Sequence, residues 1–303
     1  MMNLKQLIQK GISTISTLYP EPEAREMVLA YICDTLGVQR HTHIIEPAYE
    51  VAPQQTEAAL SAFERMASGE PLQYITGKAY FYGRIFRVTP ATLIPRPETE
   101  LLCRMAVEAA TVAKPRILDL CTGSGCIAWT LALELPKSEV IAVDISEDAL
   151  AVASAQDFAE EISRIGAFAP TFIHADILCP LASPVLPDVM SSEVETSTPK
   201  KFDLLVSNPP YVMDSEKSQM RTNVLEHEPH LALFVPDSDP LIFYRAVADR
   251  ASELLSPEGV GIVEINEALG EQTAEVFRSR GFASEEVIKD LHNKDRFVRF
   301  SWK

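Results

Sequence analysis

Asn208-Pro209-Pro210-Tyr211 closes the apolar run Phe202-Asp203-Leu204-Leu205-Val206-Ser207, and its residue types suit the gripping of an NH2 group. Asn208 offers a side-chain carbonyl as acceptor. It precedes a proline, which biases it towards an extended backbone that aims the side chain outwards. Pro209 has no N–H and holds its backbone rigid, and Tyr211 offers a flat face for stacking or for a cation. A stiff turn after a strand uses the same residues. At average residue frequencies, however, this tetrapeptide arises by chance in such a chain on the order of once in a thousand. The clamp is the stronger reading, and it calls for a group donor beside it.

A donor site is legible upstream. Ile117-Leu118-Asp119-Leu120 reads as a strand that passes through the small-residue loop Cys121-Thr122-Gly123-Ser124-Gly125 into a helix. Glycines let backbone approach a ligand closely, and a helix N-terminus favours negative charge. The loop has neither G-x-G-x-x-G spacing nor a P-loop lysine, so a phosphate cradle is disfavoured. Asp144 ends the next strand about twenty residues on, where a carboxylate accepts from both ribose hydroxyls. Asp176 ends the third strand and could accept from an adenine amino group. Either acid could instead cap a helix, and Ser146 competes with Asp144 for that role. With Asp119 just before the loop, acids at successive strand ends point to a nucleoside site in a doubly wound sheet.

A nucleoside without a phosphate cradle, next to an NH2 clamp, suggests S-adenosylmethionine, which leaves as S-adenosylhomocysteine. If Asn208 and the Pro209 carbonyl each accept one N–H, the nitrogen lone pair is held towards the methyl group. Positive charge developing on nitrogen is then stabilised by those dipoles. Tyr211 could add a cation–π contribution of ~1 kcal/mol.

These residues need a scaffold, and the chain supplies two kinds. Up to about residue 70 the pattern is helical. Leu4, Leu7, Ile8 and Ile12 share one spacing, Met27 to Leu36 another, and Gln54 to Ala67 forms a third helix stopped by Gly69 and Pro71. Pro20-Glu21-Pro22-Glu23 marks the second helix's start. Tyr80 to Val88, aromatic-rich with Gly83 at its middle, reads as a linking hairpin. In Ile94-Pro95-Arg96-Pro97-Glu98-Thr99-Glu100, Pro97 begins a helix whose positive end suits Glu98 and Glu100.

Beyond residue 115, strands and helices alternate. Strands are expected over Ile117–Leu120, Val140–Asp144, Thr171–Asp176, Phe202–Ser207 and Val260–Ile265. Helices are expected over Cys126–Leu135, Ser146–Ile165, Pro240–Leu255 and Ala268–Arg280, with a late strand over Arg296–Phe300. Such alternation gives an α/β fold with a parallel sheet covered on both faces. Residues 179–201, rich in Pro and Ser, read as a flexible surface insertion without chemistry.

Composition narrows the partner. The 303 residues are 47% hydrophobic and 23% charged, an ordinary globular balance with room for two domains. No run is apolar enough to span a bilayer and no secretory signal opens the chain, so no membrane partner and a cytoplasmic location are expected. Five scattered cysteines without C-x-x-C imply reduced thiols, and the His41/His43 and His227/His230 pairs read as loop residues, so no metal is expected. The formal charge of −16 argues against nucleic acid. Lys289, Lys294, Arg296, Arg299 and Lys303 make the nearest basic cluster, which reads as a solvated sheet edge.

From about Pro71 to its end, the chain resembles the release factor glutamine methyltransferases. The likeness lies in Pro71-Leu72-Gln73-Tyr74-Ile75-Thr76-Gly77, Leu93-Ile94-Pro95-Arg96-Pro97-Glu98-Thr99-Glu100, the Asp119–Gly125 loop, Asn208-Pro209-Pro210-Tyr211 and Glu228-Pro229-His230-Leu231-Ala232-Leu233. Asn-Pro-Pro-Tyr is shared with nucleic-acid amino-methyltransferases, whereas the Leu93–Glu100 string is far more specific. The resemblance implies a helical substrate-recognition domain over 1–72, a hairpin linker over 73–92 and a Rossmann-like class I methyltransferase domain over 93–303. That domain would carry a mostly parallel seven-stranded sheet with its last strand antiparallel. It implies cofactor binding by Cys121, Thr122, Gly123, Ser124, Gly125, Asp144, Asp176, Ile177 and Asn208. It also implies catalysis at Asn208, Pro209, Pro210 and Tyr211, on a glutamine of bacterial peptide chain release factors, by a monomer.

Two departures stand out: Cys121 and Asn266 each replace a usual glycine. A side chain at Cys121 would crowd the cofactor or shift the loop, and neither residue is expected to touch the clamp. A nucleic-acid amino-methyltransferase is the alternative reading; a binding protein that keeps the fold without the chemistry is a third.

Overall fold

The computed structural model describes residues 2–179 and 201–303, so the insertion expected at 179–201 lies outside the described residues except for its two ends. The chain divides into two compact units, one running up to Lys78 together with Met220–Glu228, the other comprising Ala79–Gln219 and Pro229–Lys303.

In the first unit, α1 (Leu4–Ile15), α2 (Glu21–Leu36) and α3 (Pro53–Ala67) stand where the apolar spacing predicts helices. Asn3 caps α1 reciprocally with Gln6, so two otherwise unpaired backbone donors are satisfied. Prolines open α2 and α3, and Gly37 in the left-handed conformation ends α2. Leu7, Ile8, Val28, Ile32, Ala59 and Phe63 close the core between them.

A hairpin, Lys78–Phe81 and Arg84–Arg87, stands at the start of the second unit, its first residue still counted with the first. Its turn residues Tyr82 and Gly83 both have positive φ, 49° and 74°, matching the twist of a two-residue hairpin. Next comes α4 (Pro97–Ala109), started by Pro97 with Glu98 and Glu100 in its first turn. Glu100 also pins the hairpin turn, since its carboxylate accepts the Tyr82 amide at 2.9 Å.

The strands that follow are β1 (Arg116–Leu120), β2 (Glu139–Asp144), β3 (Thr171–His174), β4 (Phe202–Ser207), β5 (Leu255–Glu264), β6 (Ser284–Lys289) and β7 (Asp295–Ser301). They form one sheet in the order β6-β7-β5-β4-β1-β2-β3. Every neighbouring pair from β5 to β3 is parallel, and β7 runs antiparallel between β5 and β6. The seven-stranded, mostly parallel architecture is therefore as expected. β1, β2 and β4 are almost wholly buried, as their unbroken apolar runs require in a sheet covered on both faces. α4 and α5 (Cys126–Glu134) pack on one face. α8 (Ile242–Leu254) and α9 (Gly270–Arg278) pack on the other.

The structure differs from expectation in two elements. The single helix expected over Ser146–Ile165 is two, α6 (Glu147–Ser154) and α7 (Ala159–Ile165). Between them Gln156 turns inward, where its amide bonds both the N–H and the carbonyl of Arg87 and the carbonyl of Ser124. The edge strand β6 has no counterpart among the strands read from residue pattern, because Glu285, Glu286 and Lys289 break up its apolar alternation.

Candidate active site

Strand order reverses at the β1/β4 boundary: β2 and β3 lie to one side of β1, β5 to the far side of β4. In such sheets the crevice outside the strands' C-terminal ends takes the ligand. The register pairs Leu120 with Ser207, the last residues of β1 and β4, and the Ser207 hydroxyl donates to the Leu120 carbonyl at 2.7 Å. The small-residue loop and Asn208-Pro209-Pro210-Tyr211 thus leave the sheet side by side.

The loop is held from below and from the side. Asp119 is fully buried; it accepts the Thr122 hydroxyl at 2.6 Å, while burial, with Asp144 nearby, pushes its carboxyl up to about 7. The Thr122 amide donates to Val143 of β2 at 3.0 Å. The Gly123 amide donates to one Asp144 oxygen at 2.8 Å, and the Ser146 amide to the other at 2.9 Å. Burial raises the Asp144 carboxyl against these two hydrogen bonds. Ser146 itself caps α6, so Asp144 is not needed as that helix's cap.

Three loop residues have left-handed backbones: Cys121 (φ 62°), Gly123 (φ 55°) and Gly125 (φ 77°). A Cβ on Gly123 would meet nothing within 4 Å, so its conformation, with the open face it leaves, accounts for glycine there. A Cβ on Gly125 would approach Ala153 of α6 at 3.0 Å and Trp129 of α5 at 3.1 Å, so this glycine also lets those two helices pack closely. Cys121 keeps the glycine-like backbone despite its side chain, a conformation costing roughly 1–2 kcal/mol for a non-glycine residue. Cys121 lines the cavity, and burial raises its thiol.

One cavity in the second unit brings most of the anticipated residues together. Cys121, Thr122, Gly123, Ser124, Asp144, Asp176, Ile177, Asn208 and Pro210 line it; Gly125, Pro209 and Tyr211 do not. Asp176, expected to end the third strand, lies two residues beyond β3, where its carboxylate accepts the Leu178 amide at 2.8 Å. Leu93, Pro95, Arg96 and Thr99, from the approach to α4 and its first turn, also line it, as do Leu231 and Phe243.

Beneath the clamp lies a polar network that residue patterns did not single out. The Asn208 Nδ2 donates to Thr99 Oγ1 at 3.3 Å, and Thr99 Oγ1 donates to Glu264 Oε2 at 2.7 Å. The Tyr211 hydroxyl donates to Glu264 Oε1 at 3.0 Å. Glu264, at the end of β5, is 1% exposed; burial raises its carboxyl, opposed by these two hydrogen bonds and by Arg296. The only advance signal was a carboxylate set in the apolar run Ile262-Val263-Glu264-Ile265.

Asn266 corrects an expectation. Its Nδ2 donates to the Tyr211 carbonyl at 3.1 Å and to Glu216 at 2.9 Å, so it does touch the clamp. Its Oδ1 accepts the Ala268 amide at 2.9 Å, which leaves the buried side chain satisfied.

Sheet order, glycine loop at β1 and Asn-Pro-Pro-Tyr at β4 together define a Rossmann-like methyltransferase. The hMettl16 catalytic domain, solved in complex with MAT2A 3′UTR hairpin 6, shares the fold with a TM-score of 0.53 at 12% identity, over 84% of each chain. Residues 6–77 match the PrmC N-terminal domain family. The chain is 40% identical to the release factor glutamine methyltransferase of Bacteroides thetaiotaomicron, over 94% of this chain and 95% of that protein. It is 33% identical to that of Flavobacterium psychrophilum over the full length of both, and 37% to that of Chlorobaculum tepidum over 89% and 87%. The chain belongs to the release factor glutamine methyltransferase family.

Proposed function

We propose that this protein transfers a methyl group from S-adenosylmethionine to the side-chain amide nitrogen of a glutamine in a bacterial peptide chain release factor. The observation that carries the reading is the pairing of Leu120 with Ser207, which sets a nucleoside-type loop and an amide clamp at adjoining strand ends. The cavity's chemistry suits this donor: Asp144 and Asp176 repel phosphate but accept from hydroxyl and amino groups, and the open face at Gly123 admits a ligand. When bound, S-adenosylmethionine supplies an electrophilic methyl carbon on its sulfonium and departs as neutral S-adenosylhomocysteine.

The chain's own residues then have definite roles. Asp144 would accept from the ribose hydroxyls and Asp176 from the adenine amino group, with Ile177 and the Cys121–Gly125 loop holding the rest of the cofactor. Asn208 Oδ1, in the cavity lining, would accept one N–H of the glutamine amide and turn the nitrogen lone pair towards the donor; the second N–H is assigned to the carbonyl of Pro209, which stands outside that lining. The same two oxygens would stabilise positive charge as it develops on nitrogen, and the excess N–H proton then passes to solvent water. Pro210 walls the pocket, and Tyr211 acts from beneath through Glu264 rather than as a face for the cation.

The experiment is transfer of labelled methyl from S-adenosylmethionine to a release factor, beside a release factor whose acceptor Gln is replaced. Equal labelling of both would sink the reading. Asn208→Ala is expected to lower kcat by roughly 10²–10³-fold while calorimetry still registers cofactor binding. A nucleic-acid substrate is not favoured. Of the C-terminal basic residues, Lys289, Lys294, Arg296 and Lys303 each pair with a carboxylate, which leaves little cationic surface for phosphate. The reading takes the protein as a cytoplasmic monomer, which light scattering checks for mass. Among the described residues no helix is long and apolar enough to cross a membrane.

A further inference from the structure

An amide clamp works in one orientation only. Asn208 must present its oxygen to the substrate; turned over, it would set its own NH2 against the substrate's NH2, donor against donor. The two orientations are nearly identical in shape, so packing alone does not choose between them. We infer that Thr99 and Glu264 choose, as positioning residues that hold Asn208 with its oxygen facing the cavity.

Hydrogen-bond direction makes the choice. An ionised carboxylate only accepts, and a threonine hydroxyl has one proton to give. Thr99 spends that proton on Glu264 Oε2 at 2.7 Å, so the side it turns to Asn208 is a lone pair. Only an N–H can meet a lone pair, and Asn208 Nδ2 does so at 3.3 Å. Its oxygen is thereby left for the cavity that Asn208 lines. Tyr211 gives its single proton to the other Glu264 oxygen, so both residues flanking the proline pair answer to one buried carboxylate. Burying a carboxylate is costly unless it is well paired. Its presence at the end of β5, 1% exposed, follows if the network needs a group that can only accept.

This inference rests on the amide-methylation reading, and its test separates the two. Methyl transfer to a release factor and S-adenosylmethionine binding are to be measured for the wild type, Thr99→Val, Thr99→Ser and Glu264→Gln. Thr99→Val keeps the shape but removes the hydroxyl, and kcat is expected to fall roughly 10–100-fold, with cofactor Kd within about twofold of wild type. Thr99→Ser, which restores the hydroxyl, recovers most of that loss. Glu264→Gln brings an NH2 that can donate to Thr99 and turn its proton towards Asn208, so kcat falls without a drop in melting temperature. A Thr99→Val enzyme within twofold of wild type, or equal losses in Thr99→Val and Thr99→Ser, overturns the inference. So does cofactor binding lost in step with kcat. Hydrogen exchange of the Asn208 side-chain NH2, followed by NMR in selectively labelled protein, reads orientation without substrate. Protection that is present in the wild type and lost in Thr99→Val supports the inference even if no release factor is methylated; equal exchange in both overturns it.

Discussion

Cys121 sits where its backbone prefers glycine, and it lines the cavity. Cys121→Gly is expected to relieve the left-handed strain, a gain of about 1 kcal/mol set against glycine's larger unfolded-state entropy. The same change opens the cavity wall, so calorimetry should report a lower Kd for S-adenosylmethionine; a weaker Kd would show that the thiol contributes a contact. Asp119 gives a pH prediction. Its folded carboxyl lies at about 7, above the ordinary carboxylate value it recovers on unfolding. The folded state therefore binds the proton more tightly, and this group's contribution is present below pH ~4 and lost as pH rises through about 7. Thermal melts of Asp119→Asn should show stability relative to wild type improving from pH 5 to pH 8, on the order of 1–3 kcal/mol. No change with pH would mean that Asp119 stays ionised throughout. At this scale the clamp and both cavity acids were legible in the sequence, because each is a chemically distinctive residue at or just past a strand end. Thr99 was not, since a threonine in the first turn of a helix is commonplace and only its partner makes it notable.

Among elements, β5 and β7 pair so that the Phe300 ring lies over Gly261. A Cβ on Gly261 would lie 2.0 Å from the Phe300 ring, which is stacked on Phe277 at 3.8 Å and edge-on to Phe282 at 4.8 Å. Gly261→Ala must displace that ring and is expected to cost ~1–3 kcal/mol by overpacking, measured by denaturant unfolding. A cost under ~0.3 kcal/mol would mean that the aromatic cluster repacks freely. The parallel strands were legible because a strand buried on both faces writes an unbroken apolar run. β6 was not, since an edge strand mixes charges with its apolar residues. The break between α6 and α7 escaped for another reason: Gln156 leaves the helix to bond Arg87 and Ser124, far away in sequence.

The whole molecule carries a formal charge of −16, which must repel itself when compact. Raising salt from ~10 to ~200 mM shortens the screening length from about 30 to about 7 Å. The melting temperature is expected to rise by a few degrees; a fall would show that attractive surface pairs outweigh the repulsion. The sequence by itself determined the fold class, the reaction type and the family, because these rest on apolar periodicity and on short motifs whose chemistry is local. Only the tertiary structure decided that the loop and the clamp are neighbours, for they are more than eighty residues apart and meet through the register of β1 with β4. It alone decided the network beneath Asn208, which joins α4, the β4 end and β5. Hydrogen-bond direction belongs to pairs of atoms brought together by folding, and no single residue records it.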